Sequence, residues 1–399
     1  MTAEFNPDNH NEKNTREDQT DPIRVMVVDD SAILRGLLSK IIDGEPNMKT
    51  VETASNGKRA LYYLERSDPE VIILDIEMPE MDGLEAIPKI LEMRPDLKII
   101  MASTLTERNA SISLRAIELG ASDYLAKPST SLASKDNTAE DFKKSLLEKI
   151  EVLGRALRDS RGNRRSTAKT GPVKQTTKAP HPRSSDEESN DQSGLGQPLS
   201  AIVPVPSFRP KVIAIGSSTG GPQALMTLFK QLNQIKINLP IVITQHMPAT
   251  FTKILADHIE KQVGRPCKEA ETGDPLLPKT IYVAPGGYHL TFEARDDQTV
   301  CILNEGEPVN FCRPSVDVML SSLIEQFGGK ILTLILTGMG QDGLKACRKL
   351  KEKGGKVIAQ DSATSVVWGM PGAVVDAGVH DYVMAIDNIG PAVEKIVRC

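Results

Sequence analysis

The stretch Gly216-Ser217-Ser218-Thr219-Gly220 fits the pattern G-x-S-x-G, follows an apolar run and precedes an amphipathic one. A serine on such a strand-to-helix turn serves as a nucleophile when a base and an oxyanion site lie beside it, and Ser218 is that serine here. The same pattern also describes a turn that cradles a phosphate at a helix N-terminus, or plain N-capping by Ser218 or Thr219. A nucleophilic serine needs a base, and the chain has 6 histidines. His10 and His181 fall in polar tracts, His258 in a helical pattern and His289 in an alternating one, where surface or packing roles suit them. His246 follows the apolar run Ile241 to Gln245 and shares the serine's rim. His380 is the alternative, and with it the order Ser, Asp, His would match ordinary α/β esterases. The run Ile331 to Leu336 leads into Thr337-Gly338-Met339-Gly340-Gln341-Asp342-Gly343, which makes Asp342 the natural orienting acid; its bland reading is a capping Asp beside a glycine turn. Glycines in that loop expose backbone N–H groups, so Met339 and its neighbours are candidates for an oxyanion hole.

A second constellation lies upstream. Asp29 and Asp30 follow the apolar run Arg24 to Val28, Asp75 ends Val71 to Leu74, Ser103 ends Lys98 to Ala102, and Lys127, before Pro128, ends Asp123 to Leu125. On neighbouring parallel strands these groups converge at one edge. Clustered carboxylates repel unless a hard cation shares them, and Mg²⁺ with retained waters is the usual solution. With the metal bound, Asp75 can attack a phosphoryl group. Any one of these residues alone reads as a helix cap; five in this order are harder to assign that way.

The elements that must position these groups alternate between short β-branched runs and amphipathic stretches. In the first half, the strands just named, with Lys49 to Ala54, are separated by helical patterns near Ala32 to Ile42, Lys58 to Arg66, Gly83 to Met93 and Glu107 to Leu119. A fifth helix is expected from about Ala139 to Leu157. Five βα units imply a parallel sheet covered on both faces, with function at the carboxyl ends of the strands. In the second half, strands are expected at Val212 to Ile215, Ile241 to Thr244, Thr280 to Val283, Ile331 to Leu336 and Lys356 to Ala359. Helices are expected at Pro222 to Leu232, Thr250 to Gln262, Ser315 to Phe327, Leu344 to Lys353 and Pro391 to Val397. Alternation from Tyr288 to Leu303 around Asp296 and Asp297 suggests an inserted hairpin.

At 399 residues the chain exceeds one ordinary domain, at roughly 150 residues each, and 39% hydrophobic with 25% charged residues supports genuine cores. The expected organisation is a disordered tail over 1–22, a first domain over 23–140 with its closing helix to about 158, a flexible linker over 159–210, basic then acidic, and a second domain over 211–399. No run reaches the roughly 18 apolar residues of a membrane span, and the polar start lacks a secretory pattern, so a cytoplasmic protein is expected. Five cysteines without a C-x-x-C pair read as reduced packing residues. A net charge of -5 and the lack of a concentrated basic helix in the second domain give no expectation of nucleic-acid binding.

Over Ile23 to Ser129 the chain resembles the receiver domain of two-component response regulators, most closely in Asp75-Ile76-Glu77-Met78-Pro79-Glu80-Met81-Asp82-Gly83. The resemblance implies a flavodoxin-like fold of five parallel strands, Asp75 as phospho-acceptor, Asp29, Asp30 and Asp75 around Mg²⁺, Ser103 and Lys127 as phosphoryl sensors, and a histidine kinase as donor. Over Lys211 to Arg398 the chain is similar to the catalytic domain of the chemotaxis protein-glutamate methylesterases, in Ile215 to Pro222, Thr244 to Pro248, Tyr282 to Gly286, Arg313 to Asp317, Leu336 to Gly340 with Asp342, and Gly369 to Pro371. Gln341 stands where Asn is more usual. This resemblance implies a doubly wound α/β domain and a serine hydrolase acting on methylated helices of chemoreceptors; nothing in the sequence suggests an obligate dimer, so a monomer is expected. It further implies deamidation of receptor glutamines, with no cofactor for the hydrolysis. The expected triad is Ser218, His246 and Asp342, with oxyanion donors expected near Thr219, His246 and Met339. The receiver is implied to cover the Ser218 cleft until Asp75 is phosphorylated. A different class remains open beside it, a non-enzymatic regulator binding a nucleotide or partner through Gly216 to Gly221.

Overall fold

The computed structural model describes residues 21–104, 106–127, 139–167, 196–201 and 208–398. Nearly all of the expected N-terminal tail and most of the expected linker lie outside these residues.

The first domain runs β1 (Ile23–Val28), α1 (Ala32–Asp43), β2 (Met48–Ala54), α2 (Gly57–Leu64), β3 (Val71–Asp75), α3 (Gly83–Met93), β4 (Lys98–Ser103), α4 (Glu107–Glu118), β5 (Asp123–Ala126) and α5 (Ala139–Thr167). Its strands are parallel in the order β2-β1-β3-β4-β5. Every residue of β3 is buried, which is why its run is apolar up to Asp75 rather than alternating. The chain reverses direction of winding between β1 and β3, and their carboxyl ends form a crevice there.

The second domain comprises β6 (Val212–Ser217), α6 (Gly221–Leu232), β7 (Ile241–Gln245), α7 (Ala249–Val263), β8 (Cys267–Glu269), β9 (Ile281–Val283), β10 (His289–Arg295), β11 (Gln298–Asn304), α8 (Val316–Phe327), β12 (Ile331–Ile335), α9 (Leu344–Glu352), β13 (Lys356–Gln360), α10 (Met370–Asp376), β14 (Tyr382–Met384) and α11 (Ile386–Val397). Seven parallel strands lie in the order β14-β13-β12-β6-β7-β9-β8. β6 pairs with β7 on one side and β12 on the other, so the switch point of this sheet falls at the carboxyl end of β6. β10 and β11 form the expected hairpin, turned by Asp296 and Asp297 at φ 43° and 65°, the left-handed pair of a tight two-residue turn.

Five elements differ from the sequence reading. β8 and β14 are edge strands of 3 residues, too short to show a period. α10 begins at the Gly369-Met370-Pro371 turn and was not anticipated. α11 starts at Ile386, with Pro391 inside it rather than at its first turn. α5 continues to Thr167, into the tract expected as linker, because Arg158 and Arg161 bind the receiver: Arg158 pairs with Glu70 at 2.6 Å and Arg161 with Asp96 at 2.7 Å. Residues at the far end of that tract also pack, Gln197 N–H donating to Val383 O at 2.6 Å.

The two domains touch through α4, which packs on α6 and α7. Tyr124 stacks on Phe251 of α7 at 4.2 Å between ring centroids, and Glu118 reaches His258 at 3.4 Å. Val366, Val367 and Met339 of the second domain join the same apolar cluster as Phe142 and Leu146 of α5.

Candidate active site and acidic pocket

Ser217 pairs with Gln245 in the β6–β7 register, and the His246 N–H continues that ladder to Ser217 O at 3.1 Å. Ser218 and His246 are therefore the first residues beyond two adjacent strand ends. Gln245 clamps both, its Nε2 donating to Ser218 O at 3.0 Å and to His246 O at 3.3 Å. The turn after Ser218 needs Gly220, whose φ is +75°. Gly338 lets the β12 loop lie against the serine; a Cβ there would sit 2.9 Å from Ser218 Cβ.

His246 Nε2 lies 2.8 Å from Asp342 Oδ2. That carboxylate sits at the N-terminus of α8, accepting from Val316 N at 2.6 Å, Ser315 Oγ at 2.8 Å, Asn310 Nδ2 at 2.8 Å and Asp317 N at 3.2 Å. Burial opposes ionisation of Asp342, but His246, the Val316 N–H and Asn310 hold its pKa below the ordinary aspartate value. Burial likewise opposes the charge on His246, yet its bonds to Asp342 and Cys312 prevail and its pKa is raised to about 9. With Nε2–H committed to Asp342, the nitrogen available for proton transfer is Nδ1. In this conformation Nδ1 faces Cys312 Sγ at 3.4 Å, and among the described residues Ser218 Oγ makes no hydrogen bond to the ring.

Two of the three expected oxyanion donors have N–H groups without an acceptor among the described residues. Neither Thr219 N–H nor Met339 N–H donates to a described residue. The His246 N–H is different, because the bond to Ser217 O consumes it, so it does not serve as an oxyanion donor. His380 lies just before β14, at the amino end of a strand whose carboxyl end marks the rim, and is excluded as the base by position. Cys312, Asn310 and Ser315 were missed by sequence reasoning. Their approach depends on how the segment between β11 and α8 crosses the rim, and only the Arg313 to Asp317 block hinted at it.

In the first domain Asp29, Asp30, Asp75 and Lys127 converge, and Ser103 ends β4, the strand paired with β3. Ligand oxygens of Asp29, Asp30 and Asp75 lie within 4.8 Å of one another. Lys127 Nζ bridges Asp29 Oδ2 at 2.8 Å and Asp75 Oδ1 at 2.7 Å. Burial raises the Asp75 carboxyl above the ordinary aspartate value against the pull of Lys127, with the Asp29 charge adding to the rise. Ser103 Oγ is 2.9 Å from Ser113 Oγ of α4, whose own proton goes to Asn109 O at 2.8 Å, so Ser103 is the donor of that pair. An all-oxygen donor set with one exposed carboxylate, Asp30, fits Mg²⁺ and its retained waters.

A five-stranded parallel domain with an acidic pocket at its switch point, joined to an α/β domain with Ser, His and Asp at its own, defines a response regulator with an enzymatic output. The response regulator receiver domain model matches residues 25–134 and the CheB methylesterase model residues 213–393. The chain is 47% identical to the protein-glutamate methylesterase/protein-glutamine glutaminase of group 2 operon of Rhodospirillum centenum, covering 94% of each chain. It is 47% identical to the protein-glutamate methylesterase/protein-glutamine glutaminase of Azospirillum brasilense, covering 94% of this chain and 93% of that one. A solved structure, the Thermotoga maritima CheB methylesterase catalytic domain, is 39% identical, covering 47% of this chain and 99% of that one, with a TM-score of 0.45. The chain belongs to the protein-glutamate methylesterase/protein-glutamine glutaminase family. These relatives do not favour a non-enzymatic role for the Gly216 to Gly221 turn.

Proposed function

We propose that this protein is a phosphorylation-activated serine hydrolase that demethylates glutamyl methyl esters on chemoreceptors and deamidates receptor glutamines, giving adaptation in chemotaxis signalling. The observation that carries it is the 2.8 Å bond from His246 to Asp342 beside Ser218, at the switch point of the sheet. Ser218 Oγ attacks the ester carbonyl and His246 Nδ1 takes its proton, once the ring leaves Cys312 for the hydroxyl. Asp342 holds the tautomer and stabilises the imidazolium. The N–H groups of Thr219 and Met339 receive the oxyanion, methanol leaves with the proton from His246, and water cleaves the acyl-enzyme by the same path. An amide follows the same course, with ammonia leaving.

The receiver pocket supplies the control. Asp29, Asp30 and Asp75 would hold Mg²⁺, which when bound supports phosphoryl transfer to Asp75 from a histidine kinase. Lys127 and Ser103 would then turn to the phosphoryl oxygens. Ser103 has one proton, so a bond to phosphoryl releases Ser113 and with it α4, the helix docked on α6 and α7. The protein would act as a cytoplasmic monomer; no described helix is long and apolar enough to cross a membrane.

Methanol release from methylated receptor membranes, by wild type and Ser218→Ala, with and without Mg²⁺ and a small phosphoryl donor, tests the reading. Release that needs Ser218 and rises with the donor supports both halves. Equal release from Ser218→Ala overturns the assigned nucleophile.

A further inference from the structure

Cys312 is not used by the proposed chemistry, yet its half-buried Sγ lies 3.4 Å from His246 Nδ1, the nitrogen that must receive the Ser218 proton. The other described cysteines, Cys267, Cys301 and Cys347, are buried. On a tetrahedral metal, an imidazole nitrogen at about 2.0 Å and a thiolate sulfur at about 2.3 Å stand roughly 3.5 Å apart. A metal can therefore bridge Nδ1 and Sγ with little movement of either.

The rest of the ring's surroundings point the same way. Metal-bound imidazoles characteristically donate the opposite N–H to a carboxylate, which fixes the tautomer and strengthens the ligand. His246 Nε2 does so to Asp342, which is itself held by Ser315 Oγ, Asn310 Nδ2 and the Val316 N–H. One ligand atom from each of His246, Cys312 and Asp342 falls within 4.8 Å of the other two. The serine's neighbourhood thus contains a nitrogen–sulfur pair with its supporting shell already built.

We propose that His246 and Cys312 form an inhibitory site for a soft divalent metal, Zn²⁺ by its donor chemistry, which blocks the general base. The inference rests on the reading of His246 as that base. Binding displaces the thiol proton and the proton that Nδ1 carries when the ring is charged, both passing to solvent, so that sulfur and the Nδ1 lone pair bond the metal and water completes the coordination. Mg²⁺ prefers oxygen donors and leaves this site alone, so the ion the receiver needs does not inhibit the hydrolase.

Co²⁺, a coloured stand-in for Zn²⁺, provides the test on the full chain in a Cys399→Ser background. A sulfur-to-cobalt absorption band that Zn²⁺ displaces is expected in wild type, in Asp75→Asn and in Ser218→Ala, and not in Cys312→Ala. Zn²⁺ should also inhibit methanol release from wild type at a concentration at least about tenfold lower than for Cys312→Ala, reversibly with a chelator. A folded wild-type protein without the band, or a band undiminished in Cys312→Ala, overturns the proposal. Undiminished methanol release by Ser218→Ala would instead strike the hydrolase reading, and the cobalt band would still decide the metal site.

Discussion

Thr219 Oγ1 donates a 2.9 Å hydrogen bond to Asp123 Oδ2 across the interface between the two domains, one residue after Ser218. Asp123 lies on β5, next to Tyr124, whose ring stacks on Phe251, and it is also paired with Lys149 of α5. The receiver thus holds the nucleophile turn by a charged hydrogen bond rather than only covering it with apolar surface. It also places an acid beside the N–H groups that would receive an oxyanion.

Asp123→Ala should therefore release the resting enzyme. A hydrogen bond to a charged group contributes about 1.5–3 kcal/mol, enough to shift a docking equilibrium by about tenfold or more. Methanol release without a phosphoryl donor should rise by about that factor, while the donor-stimulated rate changes little. An unchanged resting rate would mean that this bond does not hold the closed state.

Ser113→Ala tests the route from pocket to interface. Ser103 gives its only proton to Ser113 in this structure, and a phosphoryl group on Asp75 would compete for it. Without Ser113 that competition no longer acts on α4. Phosphate incorporation at Asp75 should persist, while the ratio of stimulated to resting activity falls by roughly threefold to tenfold. Loss of phosphate incorporation itself would place Ser113 in the pocket chemistry instead.

Much of this arrangement was legible because strands buried on both faces read as unbroken apolar runs, and their last residues fall on the functional rim. That logic placed Asp75, Ser103 and Lys127 at one edge and Ser218 beside His246. It did not reach residues set by tertiary crossing. Cys312, Asn310 and Ser315 approach His246 and Asp342 only because the chain between β11 and α8 passes over the rim, and Ser113 faces Ser103 from a helix. Nor does periodicity reveal that the His246 N–H is consumed by β-ladder pairing. The length of α5 was hidden for another reason. Arg161 looks like linker composition until Asp96 is brought against it by the fold.

Asp342→Asn should lower kcat by about 10⁴-fold with little change in KM, since the amide no longer fixes the Nε2–H tautomer or compensates the imidazolium. With the amide oxygen in place of Oδ1, the bonds from Ser315 Oγ, Asn310 Nδ2 and Asp317 N persist while that from Val316 N is lost, so part of the site's support remains. Unfolding by denaturant checks that the fold persists, alongside methanol release. A fall of less than about tenfold would remove Asp342 from the triad.

The anchor of α5 carries a pH signature. Burial opposes ionisation of Glu70, but hydrogen bonds and charge from Arg158, with the Arg24 N–H and side chain, keep its pKa below the ordinary glutamate value. A carboxyl depressed in the folded state contributes stability that is fully present above its unfolded pKa and is lost as pH falls through the folded one. Glu70→Gln removes that contribution and leaves the partly exposed Arg158 without its charge partner, costing about 1–2 kcal/mol at neutral pH. As pH falls from neutral to below the ordinary glutamate range, the wild-type carboxyl protonates and the difference between the two proteins should close. Denaturant unfolding of the receiver across that range provides the measurement. A gap that stays constant with pH would assign the effect to lost packing rather than to the ionised pair, and α5 would then owe its length to apolar contacts of Leu153 and Leu157 instead.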